Sequence, residues 1–179
     1  MRSLYLLLIA AANLLTAKFD PLALAGGTLI IPVGSLFAGA VFILRDLVQM
    51  KHGRRKTYTT ILWASALSAV LSVSLGDTAH VAVASVVAFF VSEAADTEIF
   101  SRLRRSLAAR ILLSGIVGGC LDSVLFVILG LSPLGAGMLP WEAVPSAVLG
   151  QQLVKIGAQI VVLALLLLRN ALKKERKNE

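Results

Sequence analysis

Long apolar runs separated by short polar segments organise the chain. Six are of helical length: about Leu4 to Ala17, Ile30 to Val48, Tyr58 to Leu75, Ala79 to Ala95, Arg110 to Leu131 and Val144 to Leu168. None alternates with the period of two that a barrel strand requires. Backbone N–H and C=O groups cannot stay unpaired in hydrocarbon, so each run predicts a transmembrane helix. Glu93, Asp96 and Glu98 interrupt the fourth run near its inner end. The expected fold class is therefore all-α: a polytopic membrane protein of six transmembrane helices, forming one domain over residues 1–179.

Composition sharpens this picture. The chain is 58% hydrophobic with a mean hydropathy of +0.86, against roughly 45–50% apolar residues in a soluble domain. Six spans of about 20 residues leave no length for a separate soluble domain. The lone Cys120 lies inside an apolar run, so the chain forms no internal disulfide.

Charge then orients the helices. The 17 Lys and Arg exceed the 10 Asp and Glu. The basic residues gather at Arg2, at Lys51, Arg54, Arg55 and Lys56, at Arg102, Arg104 and Arg105, and from Arg169 to Lys177. With six spans, all of these fall on one side. The opposite connections carry Lys18 against Asp20, Asp77 and Glu142. Positive-inside bias then places both termini in the cytoplasm of a multi-pass protein of the cytoplasmic (inner) membrane, with a solvated basic tail from about residue 170. Basic residues spread this way orient a membrane protein and do not line a nucleic-acid groove, so no nucleic-acid partner is expected. The start, Met1-Arg2-Ser3 before an apolar run, also resembles a secretory signal with Leu15-Thr16-Ala17 as a cleavage site. An uncleaved first span is the expectation, because cleavage would delete the polar Asn13 from the bundle. No internal repeat supports an inverted-repeat transporter.

The informative residues are those that should not be in hydrocarbon, where an ionised side chain costs about 2.5–3.5 kcal/mol at a helix centre. Asn13 lies about 15 Å from the inner end of the first span, Asp122 about 18 Å from that of the fifth, and Lys155 about 16 Å from the outer end of the sixth. All three reach the middle of the membrane. Gln151, Lys155 and Gln159 repeat at i, i+4 and i+8, with Gln152 beside them, and this stripe should line a cavity. On the fifth span, Ser114, Gly115, Gly118 and Gly119 form a small-residue face ending at Asp122 and Ser123, with Phe126 one turn beyond. Glu93 and Asp96 share a face of the fourth, and Ser65, Ser68 and Ser72 one side of the third.

Each feature also has a plainer reading. Small-residue stripes are commonly packing surfaces, Asp122 and Lys155 could be a structural ion pair, and Arg45-Asp46 and Glu93 to Glu98 could pair with neighbouring Arg residues. The two histidines, His52 and His80, fall on opposite sides with only one Cys, which predicts no metal site and no cofactor. No G-x-x-x-x-G-K-[ST], G-x-S-x-G or H-E-x-x-H motif is present. The expectation is a carrier of a small polar solute, not an enzyme.

Several residues together carry a family resemblance. Ala12-Asn13 with Lys18, Asp46 and Gly53, Glu93-x-x-Asp96-x-x-Ile99-Phe100 with Leu103, Arg110, Ser114, Asp122-Ser123-x-x-Phe126 and Lys155 are similar to the VUT family of queuosine-precursor transporters. The resemblance runs from about Asn13 to Lys155. It implies uptake of 7-deazaguanines such as 7-cyano-7-deazaguanine or its aminomethyl relative, through a six-helix fold resembling the vitamin-binding subunits of energy-coupling-factor transporters. The chain departs from the family pattern in two places: Met50 stands between Asp46 and Gly53 where the family tends to have Glu, and Glu93 where it often has Gln. The family name reflects an older suggestion of vitamin uptake, which keeps a vitamin-like substrate open.

The chemistry of a deazaguanine suits these residues. Its N1–H and exocyclic amine can be read by Asp122 or Glu93, and its carbonyl by Lys155, Asn13 or Gln152. Its ring could stack on Phe126 or Phe90, with Gly118 and Gly119 giving clearance. The candidate substrate-binding set is Asn13, Glu93, Asp96, Asp122, Phe126, Gln152 and Lys155. The expected partners are the solute and the lipid bilayer, with a further copy of the chain or a separate ATPase module as open alternatives. Docking of an ATPase module would use the small face Ala64, Ser68 and Ser72.

Overall fold

A computed structural model describes residues 1–19, 22–24, 29–31 and 33–175. Its helices are α1 (Arg2–Lys18), α2 (Ala38–His52), α3 (Arg54–Ser74), α4 (Ala79–Arg102), α5 (Leu107–Phe126) and α6 (Val144–Glu175). Among the described residues, five stretches are long and apolar enough to cross a bilayer: Val33–His52, Arg54–Ser74, Ala79–Arg102, Leu107–Leu131 and Trp141–Arg169. The first helix is also apolar, but its 17 residues reach only about 25 Å.

The second span begins later than its hydropathy predicts. Leu22–Leu24 and Leu29–Ile31 pair as two short antiparallel strands, β1 and β2, with Leu22 opposite Ile31. A 3₁₀ turn over Val33–Phe37 then leads into α2. The cause is a close approach to α1. The Gly34 N–H donates to Thr16 Oγ1 at 3.0 Å, and a side chain at Gly34 would collide with Thr16 and the Ala12 carbonyl.

The connection between α2 and α3 is a single residue. Gly53 caps α2 through its N–H to the Gln49 carbonyl at 2.8 Å and reverses the chain at φ +79°, a conformation that disfavours any side chain. Thr78 and Ser106 cap the starts of α4 and α5 by accepting from the N–H groups of Val81 and Ala109. The last turn of the fifth span widens into a π-helix at Val127–Leu131.

The fourth span runs on to Arg102, beyond the expected limit near Ala95. It tolerates its acids because Glu93 and Asp96 turn inward, fully buried, while Glu98 turns out to Arg54, Tyr58 and Arg102. Helices α4 and α5 form the most extensive pair, with Gly118 seated on Ser92 and Asp96. Helix α6 crosses α2 at Gly39, where any side chain would meet the backbone of Ala158 and Gln159. Buried apolar residues collect in small clusters such as Tyr5, Ile9, Val41 and Ala64 and Ile43, Phe100, Ile111 and Leu163. Larger apolar side chains such as Trp63, Leu149, Leu153 and Leu165 point outward. Lipid would stand in for water against that surface. The tail expected from about residue 170 continues as helix to Glu175, and residues 176–179 lie outside the described residues.

Candidate functional site

All six helices surround one cavity of about 270 Å³. That is just below the roughly 300–1,000 Å³ typical of ligand pockets. Its wall extends from Thr16, Ser35, Leu75 and Asp77, at the end of the bundle opposite the basic clusters, to Glu93, Asp122 and Lys155 at its deepest. Most of the wall is apolar, including Ile9, Val41, Phe42, Phe89 and Phe126, with a few polar groups converging on it.

The charged centre is an ion pair across α5 and α6. Lys155 Nζ donates to Asp122 Oδ2 at 2.6 Å and to Ser123 Oγ at 2.7 Å. An ammonium carries three protons, so one more can be donated. Asp122 Oδ1 receives no bond among the described residues, and Asp122 is 26% exposed where Lys155 is 5% exposed. The pair therefore offers an acceptor beside a donor to whatever enters. Gln151, one turn before Lys155, is buried and also lines the cavity. Across from them, Asn13 Nδ2 is held by the Ile9 carbonyl at 2.9 Å, and the Ser68 hydroxyl donates to Asn13 Oδ1 at 3.3 Å. A local bond within α1 and a contact from α3 thus fix the Asn13 amide.

Of the residues expected at the site, Asn13, Glu93, Asp122, Phe126 and Lys155 line this cavity, and Asp96 and Gln152 do not. Asp96 lies beneath it, paired with Arg45. Gln152 turns the other way, its Nε2 donating to the Ile116 carbonyl at 2.9 Å and its Oε1 packed against Gly119. The glycines of α5 give a ring no clearance. Gly115 receives Gln159, Gly118 receives Asp96, and Gly119 faces Gln152, Phe42 and Lys155. Phe90 is 37% exposed on the outer face, and Phe89, one position earlier, is the aromatic residue of α4 that reaches the cavity.

Below the cavity sits a group that sequence reasoning left as an interfacial pair. Arg45, 1% exposed, meets three fully buried carboxylates: Asp46 at 2.9 Å, Glu93 at 3.2 Å and Asp96. Its Nη1 also reaches Gln49 Oε1 at 3.2 Å and Thr97 Oγ1 at 3.4 Å. The signal was present in the chain, since Arg45 lies seven residues inside the end of α2, about 10 Å from it. Among the described residues, no group of His, Cys, Asp and Glu could hold a metal ion.

Apolar spanning helices around a cavity with a polar, charged centre define a multi-pass membrane protein with a site for a small solute. The model of the VUT family, described as "Putative vitamin uptake transporter", matches residues 64–169, from within α3 into α6. The chain belongs to that family. No curated protein and no solved structure matches it.

Proposed function

We propose that this protein is a six-span secondary carrier of the cytoplasmic membrane, with both termini inside, that takes up a queuosine precursor, 7-cyano-7-deazaguanine or a related 7-deazapurine. The observation that carries this reading is the Asp122–Lys155 pair, with a free carboxylate oxygen beside an ammonium at the cavity wall. A deazaguanine presents a ring carbonyl next to N1–H, so Lys155 would donate to the first and Asp122 Oδ1 accept from the second, both as charge-assisted bonds. Phe126 and Phe89 flank the cavity as apolar surfaces for the ring. The similarity of the Asp122-Ser123-x-x-Phe126 and Lys155 set to queuosine-precursor carriers supports the same substrate. The site is assigned no chemical step.

The alternative, a vitamin-binding subunit driven by a separate ATPase, loses its proposed docking face. Ala64, Ser68 and Ser72 are buried at 0%, 4% and 3% exposure against neighbouring helices. Thermal unfolding of the purified protein with a panel of purines and vitamins tests the substrate. A ligand at a hundred times its Kd stabilises by about 2.7 kcal/mol, so 7-cyano-7-deazaguanine should raise the melting temperature by several degrees and guanine much less. In cells unable to make the precursor, expression should restore queuosine in tRNA at low external precursor. A shift with a vitamin and none with deazaguanines would overturn the substrate and keep the carrier.

A further inference from the structure

The Arg45 cluster has more negative charge than its own cation can balance. Asp46, Glu93 and Asp96 are each 0% exposed and all contact one guanidinium. The next cation on that side, Arg110 of α5, acts on Asp46 only from a distance and forms no ion pair with the cluster, its Nε and Nη2 going to the Phe100 carbonyl at 3.0 and 2.8 Å. An unbalanced carboxylate buried away from water costs several kcal/mol even after relaxation, and such a group takes up a proton instead. Glu93 differs from its two neighbours in forming part of the cavity wall. It meets Arg45 only through Nε, and its Oε1 receives no hydrogen bond of normal geometry.

Its surroundings are otherwise fixed. From α1 the buried Tyr5 phenol is directed at it; from α2 Arg45 and Asp46 face it, and from α5 Asp122. Lys155 of α6 is committed to Asp122 and Ser123, Asp96 on α4 to Arg45, and the titratable groups of α3 nearest α4, Arg54 and Tyr58, to Glu98.

We propose that this cluster is a proton site: Glu93 takes a proton from cavity water onto its carboxylate, and the carrier releases that proton to the cytoplasm together with its solute. The transfer makes and breaks only O–H bonds. Glu93 is shared by the cavity above and the Arg45 cluster below, so occupancy of the cavity and the charge state of the floor act on one residue. The coupling to uptake rests on the carrier reading above, whereas the proton site does not.

Two measurements on the protein in liposomes separate them. Infrared difference spectra across pH, without solute, should show the C=O stretch of a protonated carboxyl that Glu93→Gln removes. Asp46→Asn takes a neighbouring negative charge away without touching the cavity, and should bring that proton off at lower pH. Size-exclusion profiles and melting temperatures certify both variants as folded. A protonated carboxyl absent at every pH where the protein is folded, or a band unmoved by either variant, would overturn the proton site. Uptake of 7-cyano-7-deazaguanine should then concentrate up to about tenfold per unit of acid-outside pH gradient for one proton per solute, and collapse with a protonophore. Uptake driven by a sodium gradient, or indifferent to both gradients, would overturn the coupling. Absence of labelled-solute exchange at symmetric pH would instead refute the substrate, with the infrared result still deciding the proton site.

Discussion

Asp122 and Lys155 are unequal partners, and their exposures of 26% and 5% predict unequal variants. Removing one member of a fully buried pair costs about 3–5 kcal/mol because a charge is left unpaired. Asp122→Asn leaves Lys155 enclosed with only Ser123 as a strong acceptor, and should approach the lower end of that range. Lys155→Met leaves a carboxylate that cavity water can reach, and should cost less. Both should abolish stabilisation by 7-cyano-7-deazaguanine. The double variant should recover the melting temperature and remain silent to ligand, since neutral groups cannot make the charge-assisted bonds. A double variant that recovers both fold and ligand response would make the pair architecture alone. Asn13 illustrates why depth by itself does not define a role: its amide is tied to Ile9 and Ser68, bonds that its position along α1 does not disclose.

Among the helices, glycine decides where two backbones touch. A side chain at Gly39 would fall on the backbone of Ala158 and Gln159 in α6, whereas at Gly157, the residue just before Ala158 in α6, it would meet nothing. Gly39→Leu should therefore lower the melting temperature by more than the about 1–3 kcal/mol of ordinary overpacking, because backbone cannot move aside as a side chain can. Gly157→Leu should be close to neutral in detergent. Equal melting temperatures for the two would show that α2 and α6 do not cross at Gly39. The glycines of α5 follow the same logic. Their spacing announces a close approach, and what approaches is Asp96, Gln159 and Phe42, so the face serves packing. The acids of α4 were expected to weaken the fourth span. They extend it, because Glu93 and Asp96 turn toward Arg45 and Glu98 turns toward Arg54 and Arg102 at the basic end of the bundle.

Viewed as one body, the bundle keeps its strongest basic groups at the end where Gly53 joins α2 to α3 and Arg102 ends α4. The cavity wall reaches the other end at Asp77. The orientation proposed from the positive-inside rule makes that second end external. In a Cys120→Ala background, Met138→Cys should react with an impermeant thiol reagent in intact cells, and Arg55→Cys only after permeabilisation. Met138 is 67% exposed, so an unreactive Cys there together with a reactive one at position 55 would invert the topology. With external access at the Asp77 end, the buried Arg45 cluster becomes the floor that separates the site from the cytoplasm.

Hydropathy alone marks the apolar runs as helices, because a backbone in hydrocarbon must close its own hydrogen bonds, and charge alone sets one end of the bundle apart as basic. Depth counted along a helix likewise puts Asp122 and Lys155 at a similar level, and the i, i+4 spacing puts Gln151 and Gln159 on one stripe with Lys155, of which Gln151 reaches the cavity while Gln159 packs on Gly115 and donates to the Ile111 carbonyl. Which polar residue faces solute and which faces another helix depends on rotation and crossing, set by close contacts such as Gly39 on α6 and Gly118 on α4. Those contacts send Asp96 and Gln152 out of the cavity, bring Phe89 into it in place of Phe90, and bury Ser68 and Ser72. They also gather Asp46, Glu93 and Asp96 around Arg45. The charge balance of a buried group is a property of its neighbours in space, and two of these four residues come from α2 and two from α4, so it had to wait for the packing of one helix on the other.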